Sequence, residues 1–166
     1  MAKYKKIVEP LMEALKDYNA VNVDYGNDQV VGVANDVNGC DLVVYINAKE
    51  ITVTFGYHSA VFSKEDVDSV ITHCKNILSG EYASVEFFSG EKKLFGGLRQ
   101  SSTCKFKTVD DVLNCYASGD EGVFNNITNF IKNNQVNVMA ISFDNKVSTL
   151  VSVNYKDNEF KLDILK

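Results

Sequence analysis

The sequence predicts an α+β domain in which antiparallel sheets, built from strand meanders, pack against three to four helices. Three observations carry this expectation. Short runs rich in β-branched and aromatic residues recur along the chain, separated by turn signals such as Asn38-Gly39, Asp144-Asn145 and Asp157-Asn158. Between groups of these runs lie segments whose apolar residues recur at helical spacing. The chain has 166 residues, 45% hydrophobic and 23% charged, which suits one globular domain that needs no metal or disulfide to fold.

The elements follow in order. Residues 3–18 read as an amphipathic helix with Ile7, Leu11, Met12 and Leu15 on its apolar stripe. Residues 21–25, 29–34, 41–47 and 50–56 read as strands of an antiparallel meander, with Gly26-Asn27-Asp28, Asn38-Gly39 and Asn47-Ala48-Lys49 as the turns. A helix follows with Ser63 as its N-cap, Asp66 three residues on, and Val67, Val70, Ile71, Cys74, Ile77 and Leu78 buried; Gly80 ends it. Residues 82–89 and 92–98 form a strand pair in which Gly96-Gly97 signals a bulge or a close backbone approach. Thr108 with Asp111 caps a short helix through Ala117. A second helix spans residues 120–134 with Val123, Phe124, Ile127, Phe130 and Ile131 inward. Three strands close the chain over residues 136–143, 146–155 and 159–165. Val-Asn-Val occurs at residues 21–23 and again at 136–138, after the first and last helices. A degenerate helix-plus-meander duplication within the single domain of residues 1–166 leaves such an echo, although chance accounts for it more readily in a chain rich in Val and Asn.

Composition excludes several classes of function. The net charge of −5 disfavours direct nucleic-acid binding, which needs a basic face. The charge is uneven: residues 21–90 carry three lysines against ten carboxylates, whereas residues 91–107 carry five basic groups against Glu91. An acidic half of this kind favours a basic partner and steers its approach. No apolar run is long enough to span a bilayer. The N-terminal helix carries Glu9, Glu13 and Asp17 where a signal peptide would be apolar, so the expected location is cytoplasmic. Cys40, Cys74, Cys104 and Cys115 form no CxxC pair, and free, mostly buried thiols are expected.

Catalytic chemistries find little support. His58 and His73 are the only histidines, 15 residues apart and outside any HExxH or HxH pattern, so neither a metal nor a cofactor is expected. GxSxG, the P-loop and GxGxxG are all absent. The carboxylate pairs Glu65-Asp66, Asp110-Asp111 and Asp120-Glu121 fall at predicted helix N-termini, where the helix dipole accounts for them. Residues 36–47 have the look of a calcium loop but carry Asn47 where the twelfth-position glutamate belongs.

Residues 54–62, TFGYHSAVF, form the densest candidate surface, with three aromatics around His58. Tyr57, His58 and Phe62 suit a rigid amphipathic anchor, with Glu65, Asp66 and Asp68 beside them as acidic contacts for a protein partner. A second reading places an anionic small molecule, bound or turned over, in a pocket near His58, Gly96, Gly97 and Arg99. A third is self-association through an exposed strand edge. The order of TFGYHSAVF, an acidic-capped helix, Val85-Glu86-Phe87-Phe88 and Lys93-Leu94-Phe95-Gly96-Gly97 resembles small cytosolic immunity proteins of bacterial polymorphic and contact-dependent toxin systems. The resemblance implies a non-enzymatic inhibitor that neutralises a cognate toxin domain, often a basic-faced nuclease. It assigns no role to any individual residue.

Overall fold

The computed structural model describes residues 4–165. Among them it shows an α+β fold of four helices and two antiparallel sheets of five strands each. No helix among the described residues is long and apolar enough to cross a membrane.

The first half comprises α1 (Lys5–Ala14), a 3₁₀ turn (Lys16–Tyr18), β1 (Val21–Tyr25), β2 (Asp28–Val33), β3 (Leu42–Ile46), β4 (Ile51–Phe55), β5 (His58–Phe62) and α2 (Val67–Leu78). Its strands lie side by side in chain order. Period-two alternation sends Val31, Val33, Leu42, Val44, Ile46, Ile51, Val53 and Phe55 to one face, where they are buried with Leu11 and Leu15 of the N-terminal segment and Val70, Cys74 and Ile77 of α2.

The second half comprises β6 (Tyr82–Ser89), β7 (Lys92–Gln100), a 3₁₀ turn (Ser101–Thr103), α3 (Val109–Ala117), α4 (Glu121–Ile131), β8 (Val136–Ser142), β9 (Ser148–Lys156) and β10 (Glu159–Leu165). The sheet order is β10-β9-β8-β6-β7, so β8 joins the sheet beside β6 after the helical excursion. Its own core gathers Val85, Phe87, Val138, Val151 and Val153 with Val112 of α3 and Ile127 and Ile131 of α4. Thr108 and Asp111 form the expected capping box on α3.

The departures from expectation are local. The first meander has a fifth strand, because Gly56 at φ +57° turns the chain and residues 58–62 pair with β4. Helix α2 starts after Asp66 rather than Ser63, whose hydroxyl bonds the Glu65 side chain instead. The helix expected over residues 3–18 runs from Lys5 to Ala14 and tightens into the 3₁₀ turn; Lys3 lies outside the described residues. The bulge of the β6–β7 pair falls between Phe87 and Phe88, not at the glycines. Val21 sits on an edge strand and Val136 on an interior one, so the Val-Asn-Val echo occupies different places in the two sheets.

The halves meet along a seam. Phe143 packs against the first core with its ring 6.0 Å from that of Phe55, and Asn35 Nδ2 donates to the Phe143 carbonyl at 2.8 Å. Near the seam the side chain of Glu86 is only 1% exposed and lies over Gly96. Lys93 Nζ stands 3.0 Å from Glu86 Oε2 as its counter-ion, and among the described residues neither carboxylate oxygen has another partner. Burial raises the carboxyl pKa, and Lys93 opposes the rise. The close approach foreseen at Gly96-Gly97 is this one: a Cβ on Gly96 would lie 2.1–2.3 Å from the Glu86 carboxyl atoms.

Gly96→Ala must therefore displace a buried, ion-paired carboxylate, with an expected loss of about 1–3 kcal/mol in urea unfolding. Gly97→Ala, whose Cβ would meet only Arg99 Nη1 at 3.4 Å, is the control and should be close to neutral.

Candidate functional site

The alternation of β5 decides where its aromatic cluster goes. His58 pairs with Phe55 and Phe62 with Ile51, both core residues of β4, so His58, Ala60 and Phe62 face inward toward α2. Ser59 and Val61 face outward, opposite Thr54 and Thr52. On α2 the three-residue step from Val70 to His73 keeps the histidine on the side that meets β5. There His58 Nε2 and His73 Nε2 stand 3.3 Å apart, with ring centres 5.4 Å apart and planes inclined by 41°. Phe62 sets its ring edge-on to His73 at 5.2 Å. The two histidines, 15 residues apart in sequence, thus form one pair.

The pair borders a cleft of about 510 Å³ on the seam, which Asn76, Tyr82, Gly96 and Arg99 also line. The four residues named for a small-molecule pocket, His58, Gly96, Gly97 and Arg99, all border this one cavity. Arg99 is tied down within it: Nε donates to the Cys115 carbonyl at 3.0 Å, Nη1 donates to the Leu98 carbonyl at 2.8 Å, and the guanidinium lies 4.8 Å from the Phe95 ring centre. These contacts hold the guanidinium against α3 and its own strand, while Arg99 still borders the cleft.

Burial, the neighbouring His73 and the Lys93 cation push His58 down to about 4. Burial also lowers His73. Cys74, next to His73 in sequence, points into the core instead, and burial pushes its thiol up to about 12, which makes it inert as a nucleophile. Among the described residues no three His, Cys, Asp or Glu side chains converge as a metal cluster.

The remaining anchor residues separate. Tyr57 sits on the β4–β5 turn, exposed, with its ring edge-on to Phe88 at 5.9 Å and Lys93 Nζ 5.9 Å from its ring centre. Glu65, Asp66 and Asp68 are exposed on the approach to α2 and its first turn. The Ser63 hydroxyl beside Glu65 holds that carboxyl below its ordinary range.

A larger feature lies on the outer face of the first sheet. The register aligns Val23, Val30, Tyr45, Thr52 and Val61 in one row across all five strands, with Val21, Gly32, Val43, Thr54 and Ser59 in the next. Val21, Val23, Tyr25, Tyr45 and Val61 are 60%, 43%, 67%, 37% and 61% exposed. A solvent-facing antiparallel sheet normally alternates apolar-in with polar-out. Here the outer face also carries valines and tyrosines, among Thr52, Thr54 and Ser59, and Asp28 at the start of β2 is its one charged strand residue. The signal was present in the sequence, since residues 21, 23 and 25 alternate with polar neighbours; an apolar row on a strand reads as core until the helices are placed. Comparison with protein families, curated proteins and solved structures gives no match for this chain.

Both histidines hold folded-state pKa values below the ordinary 6.5, so the unfolded chain takes up protons first as pH falls. Their contribution to stability is complete above pH 6.5 and is lost from there down toward pH 4. Urea unfolding midpoints should therefore drop between about pH 7 and about pH 5. The double variant His58→Gln/His73→Gln should flatten that drop; an unchanged slope would assign the pH sensitivity elsewhere.

Proposed function

We propose that this protein acts by binding another protein, and that the uncovered outer face of the β1–β5 sheet is the docking surface. The observation that supports this is the row Val23, Val30, Tyr45, Thr52 and Val61 crossing five strands, flanked by Val21, Tyr25 and Val43 on the same face, with Val21, Val23, Tyr25, Tyr45 and Val61 in solvent. Leaving such a patch wet is unfavourable at roughly 25 cal/mol per Å² of apolar area, so a monomer seldom keeps one of this extent without a use for it. Tyr25 and Tyr45 offer broad amphipathic contact with little side-chain entropy to lose, the character of interface anchors. The Tyr45 hydroxyl already bonds the Asp28 carboxylate, which fixes the ring.

The partner is a protein with an apolar patch set in a basic surface. The acidic excess of residues 21–90 gives a long-range field that steers such a partner, with Asp28 on the face itself and Glu65, Asp66 and Asp68 on the α2 side of the sheet. A toxin domain with a basic active face has this chemistry, and the immunity-protein resemblance fits a role as its inhibitor. An anionic ligand in the seam cleft is the weaker reading, because part of the Arg99 fork already serves backbone carbonyls and burial favours the neutral form of both histidines.

Val23→Lys and Val61→Lys point outward and should leave the urea midpoint nearly unchanged. Each should weaken a stoichiometric partner recovered from host lysate by at least about 30-fold, the size of a hot-spot loss of about 2 kcal/mol. Glu65→Lys/Asp66→Lys should instead slow association and reduce its salt dependence. A partner held equally by all variants would overturn the assignment of the face. Concentration-dependent dimerisation abolished by Val61→Lys would replace the partner with a second copy of the chain.

A further inference from the structure

We infer that His58 and His73 form a two-histidine site for a borderline divalent transition ion such as Zn²⁺, Ni²⁺ or Cu²⁺, with its other coordination positions open to the seam cleft. Geometry carries this. Two imidazole nitrogens bound at about 2.0–2.1 Å to one tetrahedral zinc stand about 3.3–3.4 Å apart, and their ring centres about 5 Å apart. Here the Nε2 atoms are 3.3 Å apart and the ring centres 5.4 Å apart. An ion can enter between the nitrogens with only a small hinge of the two rings.

Both ligands stand on regular elements, His58 on a strand paired to β4 and His73 on α2 with the Phe62 ring against it. Orientation is thereby fixed before binding, which lowers the entropic cost. The chemistry of the donor set agrees. Neutral imidazole is the form a metal needs, and burial favours it at both positions. No carboxylate joins the pair as a third ligand among the described residues, so hard ions such as Mg²⁺ and Ca²⁺ lack their preferred oxygen set. Asn76 lines the same cleft on the same helix. With two protein ligands the ion is exchangeable, and the cleft volume of about 510 Å³ leaves room for waters or for a donor from a bound molecule.

A direct N–H···N hydrogen bond accounts for the same separation without a metal, so the experiment must tell the two apart. Untagged reduced protein is titrated with ZnCl₂, NiCl₂, CuCl₂ and MgCl₂ by calorimetry, and the imidazole ¹⁵N resonances are followed with Zn²⁺. The expected result is saturation at one equivalent, with Cu²⁺ tighter than Zn²⁺ and Mg²⁺ silent, and Zn²⁺ shifting the Nε2 signals of both histidines together. His58→Gln and His73→Gln should each weaken Zn²⁺ by at least about tenfold, the floor that even outer-sphere changes reach. Cys40→Ser, which removes the most accessible thiol, should bind as wild type does. Histidine resonances unmoved by millimolar Zn²⁺ would overturn the inference and leave the hydrogen bond as the whole account. Binding that survives His73→Gln or disappears with Cys40→Ser would overturn it as well. The wild-type resonances decide the matter even if a histidine variant fails to fold.

Discussion

Two helices can cover one face of a five-stranded sheet and no more. Five strands spaced about 4.8 Å apart are about 20–24 Å wide, and two helices of about 10–12 Å diameter side by side match that width. Each half of this chain contains one such sheet and two helices. Every helix is therefore spent on a core, and the fate of each sheet's second face has to be settled some other way. In the second half, part of that face turns toward the seam, where Leu98 and Ile141 pack against the first core. In the first half no element among the described residues lies over it, and Val23, Tyr45 and Val61 stay in water. The exposed apolar face is thus the remainder left by the arithmetic of the fold.

The seam has the opposite character. Where β5 and β7 approach each other, two sheet edges meet without joining into one ladder, and polar groups collect between them. Glu86 is buried there with one half-exposed lysine as its counter-ion, an arrangement that rarely adds stability over an apolar substitute. Gly96 is fitted to it, since any side chain would strike the carboxylate. The two histidines stand at the same boundary, half-buried and neutral, with a cavity in front of them. Polar groups held short of full satisfaction beside a cavity are the features a packed core would eliminate, and they set the seam apart from the two cores.

Most of the architecture was legible because local chemistry and tertiary context agree. The Thr108–Asp111 capping box, the positive-φ turns at Asn145 and Asp157-Asn158, and the β-branched runs all occur where their residues ask for them. Strand β5 was not legible, because Gly56-Tyr57 gives a weaker hairpin signal than Asn-Gly and the aromatic residues after it suggested a site rather than a ladder. The histidine pair was invisible for a different reason. Spacing rules for ligands describe one element, whereas His58 and His73 come from a strand and a helix that only the packing of α2 brings together. The outer face was hidden by its own composition: valine at 21, 23 and 61 looks the same whether a helix covers it or not.

Strand β5 ties the two surfaces together and also keeps them separable. It carries Ser59 and Val61 on the outer face and His58 and Phe62 on the cleft side, in strict alternation. Successive side chains of a strand point to opposite faces, so a change at residue 61 alters the outer face without touching the imidazole of residue 58. The reverse holds for residue 58, which packs against α2 and contributes nothing to the outer rows. Because β5 is an edge strand held by β4 alone within its sheet, its inward and outward residues share one backbone support. A change that unseats that backbone, at Gly56 for example, would disturb both surfaces at once, whereas side-chain changes at 58 and 61 act on one each. The pleat of a single strand thereby allows the proposed docking face and the histidine pair to be tested independently in the same molecule.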